Sequence, residues 1–217
     1  MKKILKYLLL LKSPEEFTFE QRIFNNSCLI AIAECLISIL VNWFLNIGII
    51  ATVINILSLI LFLLIFILFR FKNMQLTFLF LITAIMTVVA MWFVNGGSYG
   101  SVQYYFTIVL ASSVILLRGK KRDFMTFINI SIIIILMLFE YNYPKMIIGY
   151  DSQFYRYIDT ITGISISVFF LAIIMKMVIN NFDLEREKVK QETLELDKIN
   201  KLLQIKNREI SKRTVLL

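Results

Sequence analysis

The sequence predicts an all-α membrane protein: a six-helix transmembrane bundle with both termini in the cytoplasm, whose last helix continues into a parallel coiled coil. Two observations predict the bundle. The chain is very apolar, and its apolar residues fall into six long segments separated by charges or glycines. A third observation, a seven-residue apolar repeat after the sixth segment, predicts the coiled coil.

The composition excludes a soluble protein. Of the 217 residues, 59% are hydrophobic and 18% are charged, and the mean hydropathy is +0.77, whereas a soluble domain is about 45–50% apolar. A soluble fold of this size lacks the polar surface needed to cover so many apolar side chains. A cytosolic enzyme, a secreted module and a disordered chain are therefore excluded.

The N-terminal residues 1–12 predict a short amphipathic helix at the cytoplasmic membrane interface. Lys6 interrupts the apolar run and no small-residue cleavage site follows, so the segment differs from a signal peptide. Ser13, Pro14 and Glu16 then provide an N-cap, a first helical residue and a capping acid. We therefore expect the helix that leads into the first span to begin here.

Residues 13–180 are predicted to form the membrane domain. A helix needs roughly 20 apolar residues to cross the hydrocarbon core of a bilayer, and six segments approach or exceed this length. The fourth and fifth are short, which leaves them little room to tilt. The predicted spans are Phe24–Asn46, Ile49–Phe69, Met74–Val94, Val102–Leu117, Phe124–Phe139 and Ile158–Ile179.

The positive charges predict the orientation of these spans. Of the 23 Lys and Arg residues, 21 fall in the N-terminal segment, the second and fourth connections, or the stretch that begins at Lys176. The positive-inside rule places these parts and both termini in the cytoplasm. The net charge of +8 then reflects topology and attraction to anionic lipids, including at the Arg118–Arg122 cluster, and nucleic acid is not an expected partner.

Glu34 lies near the middle of the first span, where an unpaired carboxyl group is costly. No Lys or Arg lies at a similar depth in another span, so hydroxyls, amides or a second protomer must partner it. Asn42 and Asn46 follow near the same helical face, and this pattern fits either ligand contact or hydrogen bonds that fix helix packing. Weaker candidates for the same network are Asn55, Thr83 and Thr87.

The third connection holds three of the seven glycines within residues 96–100, surrounded by aromatic side chains. Glycine permits positive φ and close approach of the backbone, so the sequence predicts a tight, uncharged loop at the outer face. Two interpretations stay open: a turn in an interfacial aromatic belt, or an outward-facing pocket for a small neutral or amphipathic ligand. The predicted ligand-binding residues are Glu34, Asn42, Trp92, Asn95, Gly96, Gly97, Tyr99, Gln103 and Tyr104.

The fifth connection, from Glu140 to Tyr157 with Asp159 just beyond it, is the longest predicted outer loop. It mixes tyrosines with charged residues such as Asp151 and Arg156. The loop could cap a pocket, but we interpret it as a wet loop that tolerates substitution.

Residues 181–217 are predicted to form a cytoplasmic signalling helix. From Ile158 to Leu217 there is no proline, and Gly163 is the only glycine. Apolar residues recur every seven positions, at the a positions of a heptad repeat. At the d positions, three residues further along, only Ile199 is apolar. This pattern favours a marginal parallel coiled coil over a solvated charged helix. The predicted dimerisation residues are Phe182, Val189, Leu196, Ile199, Leu203 and Ile210.

The sequence contains no recognisable catalytic or metal-binding pattern. The chain has no histidine, which excludes histidine-dependent catalysis, His metal sites and a phosphorylated histidine within it. Cys28 and Cys35 lie in one apolar helix, about 10 Å apart along its axis, which is too far for a disulfide. Walker, Rossmann and zincin motifs are also missing, so we expect neither an enzyme nor a bound cofactor or metal.

Two motifs and the order of the parts carry a resemblance to a known family. The motifs are Phe19-Glu20-Gln21-Arg22 at the start of the first span and the Asn95-Gly96-Gly97 turn. The chain resembles, over essentially its whole length, the membrane sensory region at the N-terminus of many bacterial sensor histidine kinases and related diguanylate or adenylate cyclases. Such receptors carry an output domain after the coiled coil, so the resemblance implies a piece of a longer receptor or a partner-dependent input module.

The resemblance implies a homodimeric, multi-pass sensor in the bacterial inner membrane. A stimulus at the outer half would shift helix packing, and the sixth span would pass the shift to the coiled coil. An uncharged aromatic loop suits a lipid, a quinone, a small metabolite or a peptide. Two rivals stay open: a six-span transport component of the vitamin-importer substrate-binding type, whose tail would not self-associate, and a membrane adaptor that senses nothing.

Overall fold

The structure is a computed structural model, and it describes residues 17–44, 48–72 and 74–214. Within this part of the chain, the side chains of Phe19, Ile205 and residues 207–214 are not described. The predicted interfacial helix of residues 1–12, the capping residues 13–16 and Asn46 therefore lie outside the described residues.

The expectation that the helix leading into the first span begins at Ser13 is wrong, because Phe17 and Thr18 are not helical and the helix begins at Phe19. Thr18 and Gln21 cap it instead, with reciprocal bonds of 3.2 and 3.4 Å between side chain and backbone N–H.

Every regular element in these described ranges is helical. The α-helices follow one another as α1 to α6, and short 3₁₀ turns at Gly97–Tyr99 and Pro144–Met146 lie in the connections. The bounds are Phe19–Phe44 (α1), Ile49–Lys72 (α2), Thr77–Val94 (α3), Val102–Leu116 (α4), Gly119–Asn142 (α5) and Gln153–Thr214 (α6).

Five of these helices are long and apolar enough to cross a membrane, by length and composition. The remaining helix, α4, is also apolar but has 15 residues. The prediction of an all-helical, multi-pass membrane protein is therefore confirmed. The side of the membrane on which each terminus lies stays a prediction.

The length of α5 differs from the sequence-based expectation. The predicted span Phe124–Phe139 is short, whereas α5 has 24 residues and begins at Gly119. Backbone hydrogen bonding carries the helix through the charged residues 120–123, which are too polar to count as part of a span. The predicted span therefore lies inside a longer helix, because hydropathy predicts the part of a helix that contacts lipid and not the residues at which the helix begins and ends.

Aromatic side chains form the core where α1, α2 and α3 meet. Phe24 of α1 is fully buried and packs edge-on against Phe69 and Phe80, with ring centroids 5.1 and 5.8 Å apart. Phe62 of α2 packs against Phe80 at 5.3 Å. Such ring pairs add about 0.5–1.5 kcal/mol each beyond the area they bury, so this cluster holds the first three helices together.

The same end of the bundle carries the positive charges of the second and fourth connections. The Arg70 guanidinium lies over the Phe17 ring, 5.3 Å from its centroid. Arg118 pairs with Glu20 at 3.1 Å, in an exposed position. We call this end the basic end, and the opposite end, where α3 turns into α4, the NGG end.

The chain divides into two compact units, Met1–Met175 and Lys176–Leu217. Within the first unit, Phe170 and Ile174 of α6 form a small core cluster with Ile108 of α4. Other large side chains of α6, such as Val168 and Phe169, are exposed. The buried face of α6 in this unit repeats every three or four residues, as one face of a helix does, and comprises Asp159, Gly163, Ser167, Phe170 and Ile174.

Candidate functional site

The NGG turn, residues 95–101, connects α3 to α4. The chain reverses here because Gly96 and Gly97 adopt φ angles of 75° and 55°, which residues with a Cβ rarely adopt. The backbone N–H of Tyr99 then donates to the Gly96 carbonyl at 3.0 Å, and that of Gly100 to the Gly97 carbonyl at 3.2 Å. The prediction of a tight glycine-based turn is confirmed.

Asp159, near the start of α6, holds the end of this turn. Its side chain is 4% exposed, and its Oδ2 accepts the backbone N–H of Ser101 at 3.1 Å. The Asn95 side-chain amide donates to the Ser101 hydroxyl at 3.2 Å and lies 3.5 Å from the same Asp159 oxygen. These bonds join α6 to the NGG turn at a buried point.

Tyr150, in the connection between α5 and α6, closes over the turn. Its hydroxyl donates to Asp159 Oδ2 at 2.5 Å and lies 3.0 Å from Asn95 Oδ1. Burial, and then the adjacent Asp159 carboxylate, raise the pKa of the Tyr150 hydroxyl above its usual value, so the group stays a donor at neutral pH. A Cβ on Gly96 would collide with the Tyr150 ring, and this ring position therefore requires glycine beneath it.

The segment that precedes Tyr150 is bonded to α3 through the main chain. The N–H of Ile148 donates to the Phe93 carbonyl at 2.9 Å, and the N–H of Gly96 donates to the Ile148 carbonyl at 3.0 Å. These bonds lay the α5–α6 connection over the NGG turn. The connection is largely exposed, as the interpretation of a wet loop requires, but composition did not show that its main chain is bonded at Ile148. Its tolerance to substitution stays a prediction.

Glu140, near the end of α5, holds the other side of the turn. Its two carboxyl oxygens accept the backbone N–H and the hydroxyl of Ser98, at 2.9 and 2.7 Å. A Cβ on Gly97 would meet this carboxyl group, so the approach depends on the second glycine. The NGG turn is thus held by two carboxyl groups, one from α5 and one from α6.

Gly163 brings α6 against the start of α4. A Cβ at this position would collide with the Ser101 side chain. Gly163 lies one helical turn after Asp159, on the same face of α6. Two successive positions on that face therefore contact the end of the NGG turn.

A groove of about 380 Å³ opens at the NGG end. It lies between the turn, the start of α2 and the α5–α6 connection, and its walls include Asn95, Gly96, Tyr150 and Asp151. Two of the predicted ligand-binding residues therefore line a groove together with five residues of the fifth connection, which are Ile148, Gly149, Tyr150, Asp151 and Tyr155.

A separate cavity of about 80 Å³ lies among α1, α2, α3, α4 and α6. Tyr105 and Ser38 line it together with Glu34, so hydroxyl groups share its wall with the Glu34 carboxyl group. Most of the wall is apolar. The polar residues that line the cavity are Ser27, Glu34, Ser38, Asn55, Thr87, Tyr105 and Ser112.

The other predicted ligand-binding residues lie elsewhere. Trp92 is fully buried and packs edge-on against Phe106 at 6.1 Å, which makes it a core residue. Asn42 is buried but lines neither the groove nor the cavity. The half-buried or exposed members of the set are Tyr99, Gln103 and Tyr104. The nine residues do not form one pocket, and their role in binding a ligand stays a prediction.

Sequence reasoning did not single out Asp159, Tyr150 and Glu140 as site residues. Two of them carry a signal, because a carboxyl group at the edge of an apolar span is costly unless it is bonded. Glu140 and Asp159 both flank the fifth connection, so both needed partners at the NGG end. Tyr150 carries no comparable signal.

The predicted dimerisation residues lie in the second unit and are exposed. Their exposed fractions lie between 52% and 62% where the side chain is described. These residues are Phe182, Val189, Leu196, Ile199 and Leu203, while the side chain of Ile210 lies outside the described part. Exposed apolar residues in a seven-residue register fit a coiled coil, which stays a prediction.

The arrangement at the NGG end holds the turn against α5 and α6. Both carboxyl groups are occupied by N–H and O–H donors of the turn and its cover. In the part of the chain that the structure describes, no three metal-ligating side chains come together. The turn is therefore bonded to both α5 and α6.

The fold and this site define a polytopic helical membrane domain with a buried link between a short turn and its last helix. Comparison with known families identifies the type of membrane domain more closely. The model of the MASE7 family matches residues 12–196. The chain belongs to the MASE7 family of membrane-associated sensory domains. No curated protein and no solved structure gives a significant match.

Proposed function

We propose that the chain is the membrane-embedded input module of a bacterial signal-transduction protein of the histidine kinase or cyclase type. A stimulus changes helix packing in the bundle, and α6 passes the change to a homodimeric coiled coil in the cytoplasm. The buried bonds between the NGG turn and Asp159 of α6 carry this proposal. Membership of a sensory domain family supports it.

The network around Asp159 gives a stimulus a route to α6. Ser101, Asn95 and Tyr150 all approach one carboxyl oxygen, and a buried polar network that is only partly satisfied is costly. A ligand that rearranges the turn or the adjacent groove therefore biases the position of α6. Coupling free energies in allosteric proteins are typically about 1–3 kcal/mol, and one or two buried hydrogen bonds supply this amount.

The heptad positions of the tail, residues 181–217, fit a pair of helices that can pack in more than one way. Its a positions are apolar, whereas Glu185 and Glu192 occupy d positions. The apolar residues hold two helices together, and the charged residues keep competing packings close in free energy. A small bias from the membrane domain is then sufficient to change the packing.

Disulfide crosslinking in native membranes tests the self-association of the tail. In a C28A/C35A background, cysteine at Leu196 or Leu203 should crosslink two protomers, since both residues occupy a positions. K198C is the matched control, because Lys198 lies at a c position on the other face of the helix. Equal crosslinking of K198C and L196C, or no crosslinking at Leu196 and Leu203, would contradict the proposal, and the latter would favour a transport component.

A second variant separates a sensor from an adaptor. D159N should change the crosslinking of L196C by at least twofold, because it disrupts the link between the turn and α6. K145Q is the control, since Lys145 is exposed at the same end and lies outside both the network and the groove. Crosslinking that is unaffected by D159N favours a membrane adaptor and contradicts the proposal.

A further inference from the structure

We propose that the cavity lined by Glu34 and Asn55 binds a small, uncharged molecule that carries a hydrogen-bond acceptor beside a donor. The inference deepens the proposed function, because a molecule that enters from the lipid phase would be a stimulus for the bundle. Its test measures binding alone, so binding and signalling can fail independently.

Asn55 of α2 provides the first argument. Its side chain is 4% exposed and lines the cavity, and its Nδ2 has no hydrogen-bond partner in the described structure. Buried polar groups in folded proteins are bonded in the great majority of cases, and leaving one unbonded is costly. Asn55 therefore lacks an acceptor that an occupant of the cavity can supply.

The hydroxyl groups near Asn55 are engaged with one another. Thr87, which also lines the cavity, donates to the Thr83 carbonyl at 2.8 Å. Since a hydroxyl group has one hydrogen, Ser58 is the donor in its 2.6 Å bond with Thr87. These bonds tie α2 to α3 without using the Asn55 amide.

Glu34 lines the same cavity from α1, and Ser38 and Tyr105 line it as well. A carboxyl group keeps an acceptor oxygen in both of its protonation states. It can therefore accept an N–H or O–H of an occupant, while Asn55 donates to a carbonyl oxygen. Together the two side chains select a molecule with both kinds of group.

The rest of the wall determines the charge and size of the occupant. Apolar side chains such as Phe62, Val88 and Ile108 make up most of the lining, and burying an unpaired charge among them is costly. The volume of about 80 Å³ is several times what one water molecule needs. A short secondary amide, with a carbonyl group next to an N–H, meets these requirements.

Two probes of nearly equal shape test the proposal. N-ethylacetamide and 2-pentanone have the same number of heavy atoms and differ where an N–H replaces a CH₂ group. The melting temperature of the purified full chain in detergent is followed against the concentration of each probe, since a ligand that binds the folded state raises it. N-ethylacetamide should give a saturable rise with an apparent affinity about tenfold higher than that of 2-pentanone.

The Asn55 variant has a closely matched control. N55L should lose at least tenfold in apparent affinity for both probes, because the carbonyl group loses its donor. N129L should change that affinity less than twofold, since Asn129 is also a buried asparagine but is bonded to Ser113 and Met125 and does not line the cavity. Without a probe, N55L should melt at or above the wild-type temperature, because it removes a buried group that has no partner.

The Glu34 variants test the second contact. E34L should lower the affinity for N-ethylacetamide to that for 2-pentanone, whereas E34Q should retain most of it because the amide keeps an acceptor oxygen. A probe effect that does not saturate in the wild-type protein would show that the probe acts as a solvent and does not occupy the cavity, and this overturns the proposal. Equal affinities in N55L and N129L would also overturn it.

Discussion

The Oδ2 atom of Asp159 on α6 lies 3.1 Å from the backbone nitrogen of Ser101 at the start of α4, and it also accepts the Tyr150 hydroxyl. One carboxyl group therefore joins the NGG turn, the α5–α6 connection and α6. Because the carboxyl group is buried, water cannot easily replace any of these bonds. The contribution of this junction to stability can be measured.

Replacing Asp159 by asparagine should destabilise the protein by about 1–3 kcal/mol, because the amide offers one acceptor oxygen and leaves a buried donor unsatisfied. Thermal unfolding in detergent measures the loss. D151N should stay within about 0.5 kcal/mol of the wild type, as expected for an exposed position. If the two variants lose equal stability, Asp159 does not hold the turn.

Replacing Gly96 by alanine should destabilise the protein by more than about 1–2 kcal/mol. The φ angle of 75° accounts for roughly that cost in a residue with a Cβ, and the Tyr150 ring must also move. G149A is the control, because a Cβ at Gly149 would meet no atom within 4 Å. The unfolding temperature of G96A should be lower than that of G149A. Equal unfolding temperatures would contradict the described packing of Tyr150 against Gly96.

The stability that Tyr150 contributes should fall as the pH rises above about 10, the usual pKa of tyrosine. Burial and Asp159 raise the pKa of the Tyr150 hydroxyl in the folded protein, so the folded state holds this proton more tightly than the unfolded chain. The contribution is therefore complete below the unfolded pKa and is lost above it. Wild type and Y150F should converge in stability at high pH, whereas Y141F, at an exposed tyrosine, should keep the wild-type pH dependence.

Labelling of introduced cysteines tests the predicted orientation of the protein in the membrane. In a C28A/C35A background, Y99C should react with a membrane-impermeant maleimide in intact cells, since Tyr99 is 70% exposed at the NGG end. K120C, at an exposed position of the basic end, should react only after the cells are permeabilised. The reverse pattern would contradict the predicted cytoplasmic termini.

Replacing Glu185 and Glu192 by leucine should lock the tail in one packing. Apolar d positions would strengthen the coiled coil, so crosslinking of L196C should rise and become insensitive to D159N. A control that replaces Lys198 and Lys201 by glutamine changes charge on the outer face without adding to the apolar stripe. If D159N still changes the crosslinking of L196C in the double leucine variant, the charged d positions do not keep competing packings of the tail close in free energy.

Hydropathy and charge predict the helices well because both report the contact of each segment with lipid or water. The boundaries of the α3–α4 hairpin, Val94 and Val102, agree with the predicted spans. The family resemblance also agrees, since the chain belongs to a sensory domain family. The length of α5 was not predicted, because polar residues continue a helix without contacting lipid.

The partners in the site are the part that sequence alone could not provide. Ser101 and Asp159 are 58 positions apart, and Tyr150 and Asn95 are 55 apart. No periodicity links residues across such distances, so a carboxyl group at the edge of a span shows the need for a partner but not its identity. The polar residues around Glu34 were more predictable, since Asn55 and Thr87 stand out as amide and hydroxyl groups in apolar spans.

The NGG turn obtains acceptors for its main chain from the protein itself. The N–H groups of Gly96, Ser98, Tyr99, Gly100 and Ser101 each find an acceptor within the described structure. α4 rises about 22 Å over its 15 residues, at roughly 1.5 Å per residue, which is less than the roughly 30 Å thickness of the hydrocarbon layer. Irregular backbone survives at such depth only when protein groups replace hydration. The main chain of the turn therefore sets no limit on how close to the headgroups the α3–α4 hairpin ends, and the exposed side chain of Tyr99 is the part expected to meet water.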